Sequence, residues 1–225
     1  MTDIRRAPAV AVALASILCS VASAAEGERA VRRYLQIALA PGGAWVASVE
    51  GDAPLSGSEP QLQELKIRRT DNGAEVTISL PCGRVPQCWP GSPAWTPDGK
   101  QLAFTVRAPG THARSIYTVA PDGSRLTKVL SFDGTLIDLR YGPGGRLAVL
   151  ATEHATKEVG PTQAGASIEG EVGAVTPEQR IATLDAGHLT WQSPPDLFVY
   201  DFDWRPDGRG FVGRCPNCQS WKSQT

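Results

Sequence analysis

One pattern recurs four times in this chain: a short apolar strand, a proline–glycine turn, and an alternating apolar strand. It runs Ile37-Ala-Leu-Ala-Pro41-Gly-Gly-Ala-Trp45-Val-Ala-Ser-Val49, then Pro93-Ala-Trp95-Thr-Pro97-Asp98-Gly99-Lys-Gln-Leu102-Ala-Phe104-Thr-Val106. It returns as Leu139-Arg-Tyr141-Gly-Pro143-Gly-Gly-Arg-Leu147-Ala-Val-Leu150, and as Phe202-Asp-Trp204-Arg-Pro206-Asp207-Gly208-Arg-Gly-Phe211-Val212. Proline to proline, the spacings are 56, 46 and 63 residues. They lie around the ~40–50 residues of propeller blades, with insertions. Proline presets φ for the first central turn position, Asp or Gly suits the second, and the closing glycine takes the left-handed conformation that returns the chain to a strand. The aromatic two residues before the proline (Trp95, Tyr141, Trp204) is expected to fill space between sheets. In the first copy Leu39 stands there, and Trp45 follows the turn.

A second kind of hairpin lies between these. Leu65–Thr70 and Ala74–Leu80 flank Asp71-Asn-Gly73, and Ser115–Val119 and Ser124–Leu130 flank a Pro-Asp-Gly turn. Such dipeptides between alternating runs mark hairpins. Two hairpins per period make four antiparallel strands, which is one blade. The fold expected is all-β: an incomplete β-propeller of about three four-stranded antiparallel blades plus the start of a fourth. A ring typically needs 4–8 blades. Glu153–Pro177 reads as an exposed insertion, and Leu189–Val199, with Pro194-Pro195, as the beginning of another strand. Helical character is expected only over Glu28–Gln36.

Residues 1–24 read as a secretory signal peptide: Arg5 and Arg6, an apolar stretch from Ala7 to Val21, and Ala22-Ser-Ala24 as the cleavage site. The apolar stretch is short for a span of ~20 residues, so export without a stable membrane span is expected, with a partial propeller over 25–213. Net charge is −1 and no basic block occurs, which excludes electrostatic nucleic-acid binding. Outside the cytoplasm disulfides persist, and a short-loop disulfide across Cys82 and Cys88 is plausible. The sequence points to no cofactor and no metal.

Trp95-Thr-Pro-Asp-Gly-Lys-Gln-Leu-Ala-Phe104 and Trp204-Arg-Pro-Asp-Gly-Arg-Gly-Phe211 resemble the propeller repeats of TolB-like (PD40) proteins and of the prolyl oligopeptidase family (S9-type) of serine peptidases. The opening, a leader running directly into a blade at Pro41, favours the peptidases. That resemblance implies a propeller limiting access to a C-terminal α/β-hydrolase domain, so that this part is a non-catalytic filter or dock for peptide substrates. The alternative is a stand-alone TolB-like propeller that binds a protein partner. No catalytic residue carries over. The nearest approach to a Gly-x-Ser-x-Gly elbow, Gly165-Ala-Ser167-Ile-Glu169, has Glu where a small residue is needed. His112, His154 and His188 lie in or beside turns and read as surface histidines. Glu169 and Glu171 read as solvated loop residues rather than a substrate-amine clamp.

From Arg214 the alternation is lost. Residues 214–225 read as an irregular tail, carrying Cys215-Pro-Asn-Cys218. An out-of-frame or truncated end, a structural disulfide and a metal pair remain open readings, in that order. If the frame shifts near Arg214, sequencing the gene from Trp204 past the stop is expected to reveal further blades and a Gly-x-Ser-x-Gly segment. A confirmed stop after Thr225 with no peptidase sequence in any frame overturns that expectation.

Overall fold

The computed structural model describes residues 30–54, 60–111, 113–153, 178–195 and 197–215. The leader, the insertion over 154–177 and the tail from 216 onward lie outside them, as does the first part of the segment expected to be helical.

Fourteen strands follow one another with no helix among the described residues. The first blade is β1 (Ala30–Leu39), β2 (Trp45–Pro54), β3 (Glu64–Arg69) and β4 (Glu75–Thr77). The second is β5 (Trp89–Trp95), β6 (Leu102–Arg107), β7 (Arg114–Val119) and β8 (Thr127–Phe132). The third is β9 (Gly134–Tyr141), β10 (Leu147–Glu153), β11 (Arg180–Asp185) and β12 (His188–Trp191). A two-stranded fourth consists of β13 (Asp201–Trp204) and β14 (Phe211–Arg214). Every sheet is an antiparallel meander in which each strand pairs only with its neighbours in sequence. The architecture is an incomplete β-propeller.

The expected helix at Glu28–Gln36 is corrected by β1. Residues Ala30 to Leu39 pair with β2 along their length, with a bulge between Tyr34 and Gln36 that shifts the register by one residue. Pairing to β2, buried on both faces over residues 47–51, outweighs the local helical preference of this charged segment. The hairpin β11–β12 had no clear turn signal. Its turn is Ala186-Gly187, both at positive φ (47° and 82°), and alanine is a rare occupant of that region. β4 covers only three of the residues expected in its strand.

Each blade cannot bury two apolar faces by itself, so the sheets stack. Val49, Leu65 and Ile67 of the first blade meet Leu102, Phe104 and Val106 of the second. Ala103, Ile116 and Leu130 meet Leu136, Leu139 and Val149. Leu150 and Ile181 meet Phe202, Trp204 and Phe211. β6 and β10 are consequently buried on both sides.

The repeat motif also supplies a polar tie between blades. The indole N–H of Trp95 donates to the Ala38 carbonyl at 3.0 Å, and that of Trp204 to the Arg140 carbonyl at 2.9 Å. Each tryptophan stands two residues before its own turn proline, and each acceptor three residues before the turn proline of the preceding blade. The acceptors pair with alanines on the second strand, Ala47 and Ala148, which face the incoming blade and leave room for the ring. Gly142 makes the last of that room: a Cβ there would lie 2.6 Å from the Trp204 ring. Between the second and third blades the equivalent residues are Tyr141, Ala94 and Ala103. There Ser92, at a bulge in β5, makes the tie. Its N–H donates to Gln36 Oε1 of the first blade at 2.5 Å, and its hydroxyl to the Ile137 carbonyl of the third at 2.8 Å.

Trp204→Phe keeps most of the apolar contact but removes the second hydrogen bond on the Arg140 carbonyl, which also pairs with Ala148 in the β9–β10 ladder, at a cost of about 0.5–1.5 kcal/mol. Tyr141→Trp offers a new donor toward Ala94 and is expected to raise the melting temperature. Thermal and urea unfolding of the full chain checks both, and a Trp204→Phe protein as stable as the parent refutes the tie.

Candidate binding rim at the proline turns

Four turns of one design come together at one end of the stacked sheets. In each, the residue before the proline accepts an N–H from the glycine three residues on: Ala40 from Gly43, Thr96 from Gly99, Gly142 from Gly145 and Arg205 from Gly208, at 2.8–2.9 Å. The donating glycines, Gly43, Gly99, Gly145 and Gly208, have φ between 67° and 76°, a region where a Cβ is strained. The sequence therefore spells Pro-x-Gly at each turn.

Asp98 completes the second turn. Its Oδ1 accepts the Thr96 hydroxyl at 2.7 Å and the Lys100 N–H at 3.1 Å, while Thr96 Oγ1 accepts the Gln101 N–H at 3.1 Å. The Thr96 hydroxyl, and then the Lys100 amide, hold the Asp98 carboxyl below the usual carboxylate range. Asp122 repeats the arrangement in the outer hairpin, accepting the Ser124 hydroxyl at 2.6 Å and its N–H at 2.9 Å, with its carboxyl likewise lowered. In the fourth turn Asp207 accepts the Arg209 N–H at 3.0 Å and pairs with Arg205.

Pro41, Pro97, Pro143 and Pro206 line one open hollow of about 410 Å³ with Trp95, Tyr141, Trp204, Asp203 and Arg205. Gly208 sits over Pro143, and Arg146 stacks on the Trp204 ring, 5.1 Å from its centroid, while donating to the Gly208 carbonyl at 2.7 Å. Asp98 and Gly99 line an adjoining hollow with Pro41 and Trp45. Burial alone raises the Tyr141 phenol above its ordinary pKa. The rim is thus an apolar floor of proline and aromatic rings edged by Asp203 and Arg205, able to hold an extended peptide by stacking and by a few polar contacts.

Cys82 and Cys88 are joined, their Cα atoms 5.9 Å apart. Cys215 also takes part in a disulfide. His188 is exposed at the start of β12. His112, His154, Ser167, Glu169, Glu171 and Cys218 lie outside the described residues.

One charged surface was not anticipated. On the outward face of the first blade Glu50 is fully buried (0% exposed), held by Arg68, with Arg32 and Lys66 each 3.7 Å away. Those cations also bind Asp52, Glu64 and Glu75. Lys66 and Arg68 hold the Glu75 carboxyl below its ordinary range. The available signal was alternation: Ser48, Glu50, Lys66 and Arg68 interleave with the apolar Ala47, Val49, Leu65 and Ile67. Beside this network Tyr34, Ile37 and Leu39 of β1 are exposed.

No family model and no curated protein sequence matches the chain. Solved structures do. A prolyl endopeptidase is similar with a TM-score of 0.54 at 12% identity, over 84% of this chain and 26% of that one. A candidate dipeptidyl aminopeptidase IV from Bacteroides ovatus is similar with a TM-score of 0.55 at 7% identity, over 79% of this chain and 29% of that one. The β-propeller domain of the Trilobed protease from Pyrococcus furiosus aligns at a TM-score of 0.39 and 14% identity, over 82% of this chain and 72% of that domain. The likeness is one of fold, and the chain spans less than a third of either of the first two proteins.

The lowered Asp98 and Asp122 carboxyls stabilise the turns fully above the unfolded value of about 3.9. That contribution is lost as pH falls through their lower folded values. Melts between about pH 5 and pH 2 are expected to show a smaller acid loss for Asp98→Asn/Asp122→Asn than for the parent chain. Equal losses refute the role.

Proposed function

We propose that this chain is the non-catalytic propeller portion of an exported serine peptidase of the prolyl oligopeptidase type, docking short peptides for a hydrolase domain that these residues do not include. The observation that carries the reading is the fold likeness to two peptidases over about four-fifths of this chain but under a third of theirs. Fold alone does not give function, so the chemistry of the rim has to support the rest. Proline and aromatic rings form a preorganised apolar surface for an extended peptide, which brings little conformational entropy to lose when its own backbone is constrained. Asp203 and Arg205 at the edge supply one charge of each sign, suited to a peptide's termini. Export agrees with the leader-like residues 1–24 and with the Cys82–Cys88 bond, which persists in an oxidising compartment.

Purified full chain titrated with a short proline-containing peptide is expected to show saturable tryptophan quenching. Asp203→Ala/Arg205→Ala, changed at exposed positions, is expected to weaken that affinity at least threefold. Absence of quenching, or equal affinity in the variant, overturns peptide docking at the rim. Capture of one folded periplasmic protein without peptide binding favours the stand-alone propeller instead.

A further inference from the structure

The link from β4 to β5 folds into a disulfide-closed loop over a cavity at the outer edge of the first blade. Two turns shape it: the Gly83 N–H donates to the Leu80 carbonyl at 2.9 Å, and the Cys88 N–H to the Val85 carbonyl at 3.2 Å. Gly83 and Gln87 both have positive φ, 76° and 66°. Cys88 is buried in the apolar core, so the bond to Cys82 anchors the loop there. The cavity beneath measures about 310 Å³, and its lining includes Ile78 and Leu80 as apolar surface and Glu64, Gly83 and Arg84.

Arg84 closes it. Its Nε lies 3.1 Å from Glu64 Oε1, and the two side chains differ sharply in exposure, 72% for Arg84 against 14% for Glu64. The other cations near Glu64, Arg32 and Lys66, approach Oε2 at 3.5 and 3.9 Å. Withdrawal of Arg84 therefore frees Oε1, on the wall of the cavity, of the cation 3.1 Å from it. An exposed ion pair is weak and readily exchanged. A second arginine that also lays its stem on Ile78 and Leu80 gains apolar contact in addition to the same charge.

We propose that this cavity is a docking pocket for an arginine side chain of an extended peptide, and that Arg84 is its internal stand-in. The inference rests on the first blade and its loop and does not depend on the peptidase reading. The test is a methyl-NMR titration of the full chain, following Ile78 and Leu80, with N-acetyl-arginine amide as probe and N-acetyl-citrulline amide as its neutral counterpart. Arg84→Ala is expected to bind the arginine probe saturably and at least fivefold more tightly than the parent, and to ignore the citrulline probe. Adding Glu64→Gln is expected to abolish binding. Adding Leu80→Asn instead, which leaves the ion pairs in place, is expected to weaken it about fivefold. No gain in Arg84→Ala, equal binding of the neutral probe, or unchanged affinity in the Leu80 variant overturns the pocket.

Discussion

A four-stranded antiparallel sheet with two apolar faces is not a stable object in water, and two of the three four-stranded sheets among the described residues are of that kind. Everything else follows from how each face finds its cover. Bulk comes from large residues on one side of a central strand, such as Leu102, Phe104 and Val106, against small ones on the other, such as Ala103. Direction comes from the tryptophan that reaches into the gap over an alanine and spends its one polar group on a carbonyl of the preceding blade. Burial without that acceptor would leave the indole N–H unsatisfied, so apolar stacking and the hydrogen bond specify the same arrangement.

The outward face of the first blade obeys a different rule. Where the internal interfaces are apolar, it carries a buried glutamate surrounded by Arg32, Lys66 and Arg68. Burying a charge is costly unless it is paired several times over, and here Arg68 hydrogen-bonds Oε1 while Oε2, without a hydrogen bond of its own, has Arg32 3.7 Å away. The strip along β1, with Tyr34, Ile37 and Leu39, is left exposed. Leu39 occupies the place of Trp95 and Trp204, so this face lacks the indole donor found at the other two.

Much of this was legible in the sequence because the constraints are local. Pro-x-Gly turns announce themselves, since only glycine takes the closing conformation without strain, and period-2 alternation in residues such as Leu102–Val106 fixes both strand and face. The first strand was misread because Ala30–Gln36 is charged and weakly alternating, and its conformation is imposed by β2. The β11–β12 turn carries a weak sequence signal, because alanine stands at Ala186 where glycine or asparagine is the usual occupant of positive φ. At the rim, the prolines and tryptophans could be named in advance, but their convergence is a property of stacking, not of any one repeat. The cavity under the disulfide loop joins residues from β3, from the strand end after β4 and from the loop, and they meet only once the hairpin and the disulfide have folded them back on one another.

The strand order has a kinetic consequence. Each strand pairs only with the one before and the one after it, so a blade closes through hairpins rather than through distant segments. Topologies of this kind lose little loop entropy before contacts reward it, and they fold quickly for all-β proteins. A chain emerging from its N-terminus completes one sheet before the next is available, and each finished sheet presents the surface on which the following one settles. Assembly is then directional, growing outward from the one blade whose far side is already capped by its own charges.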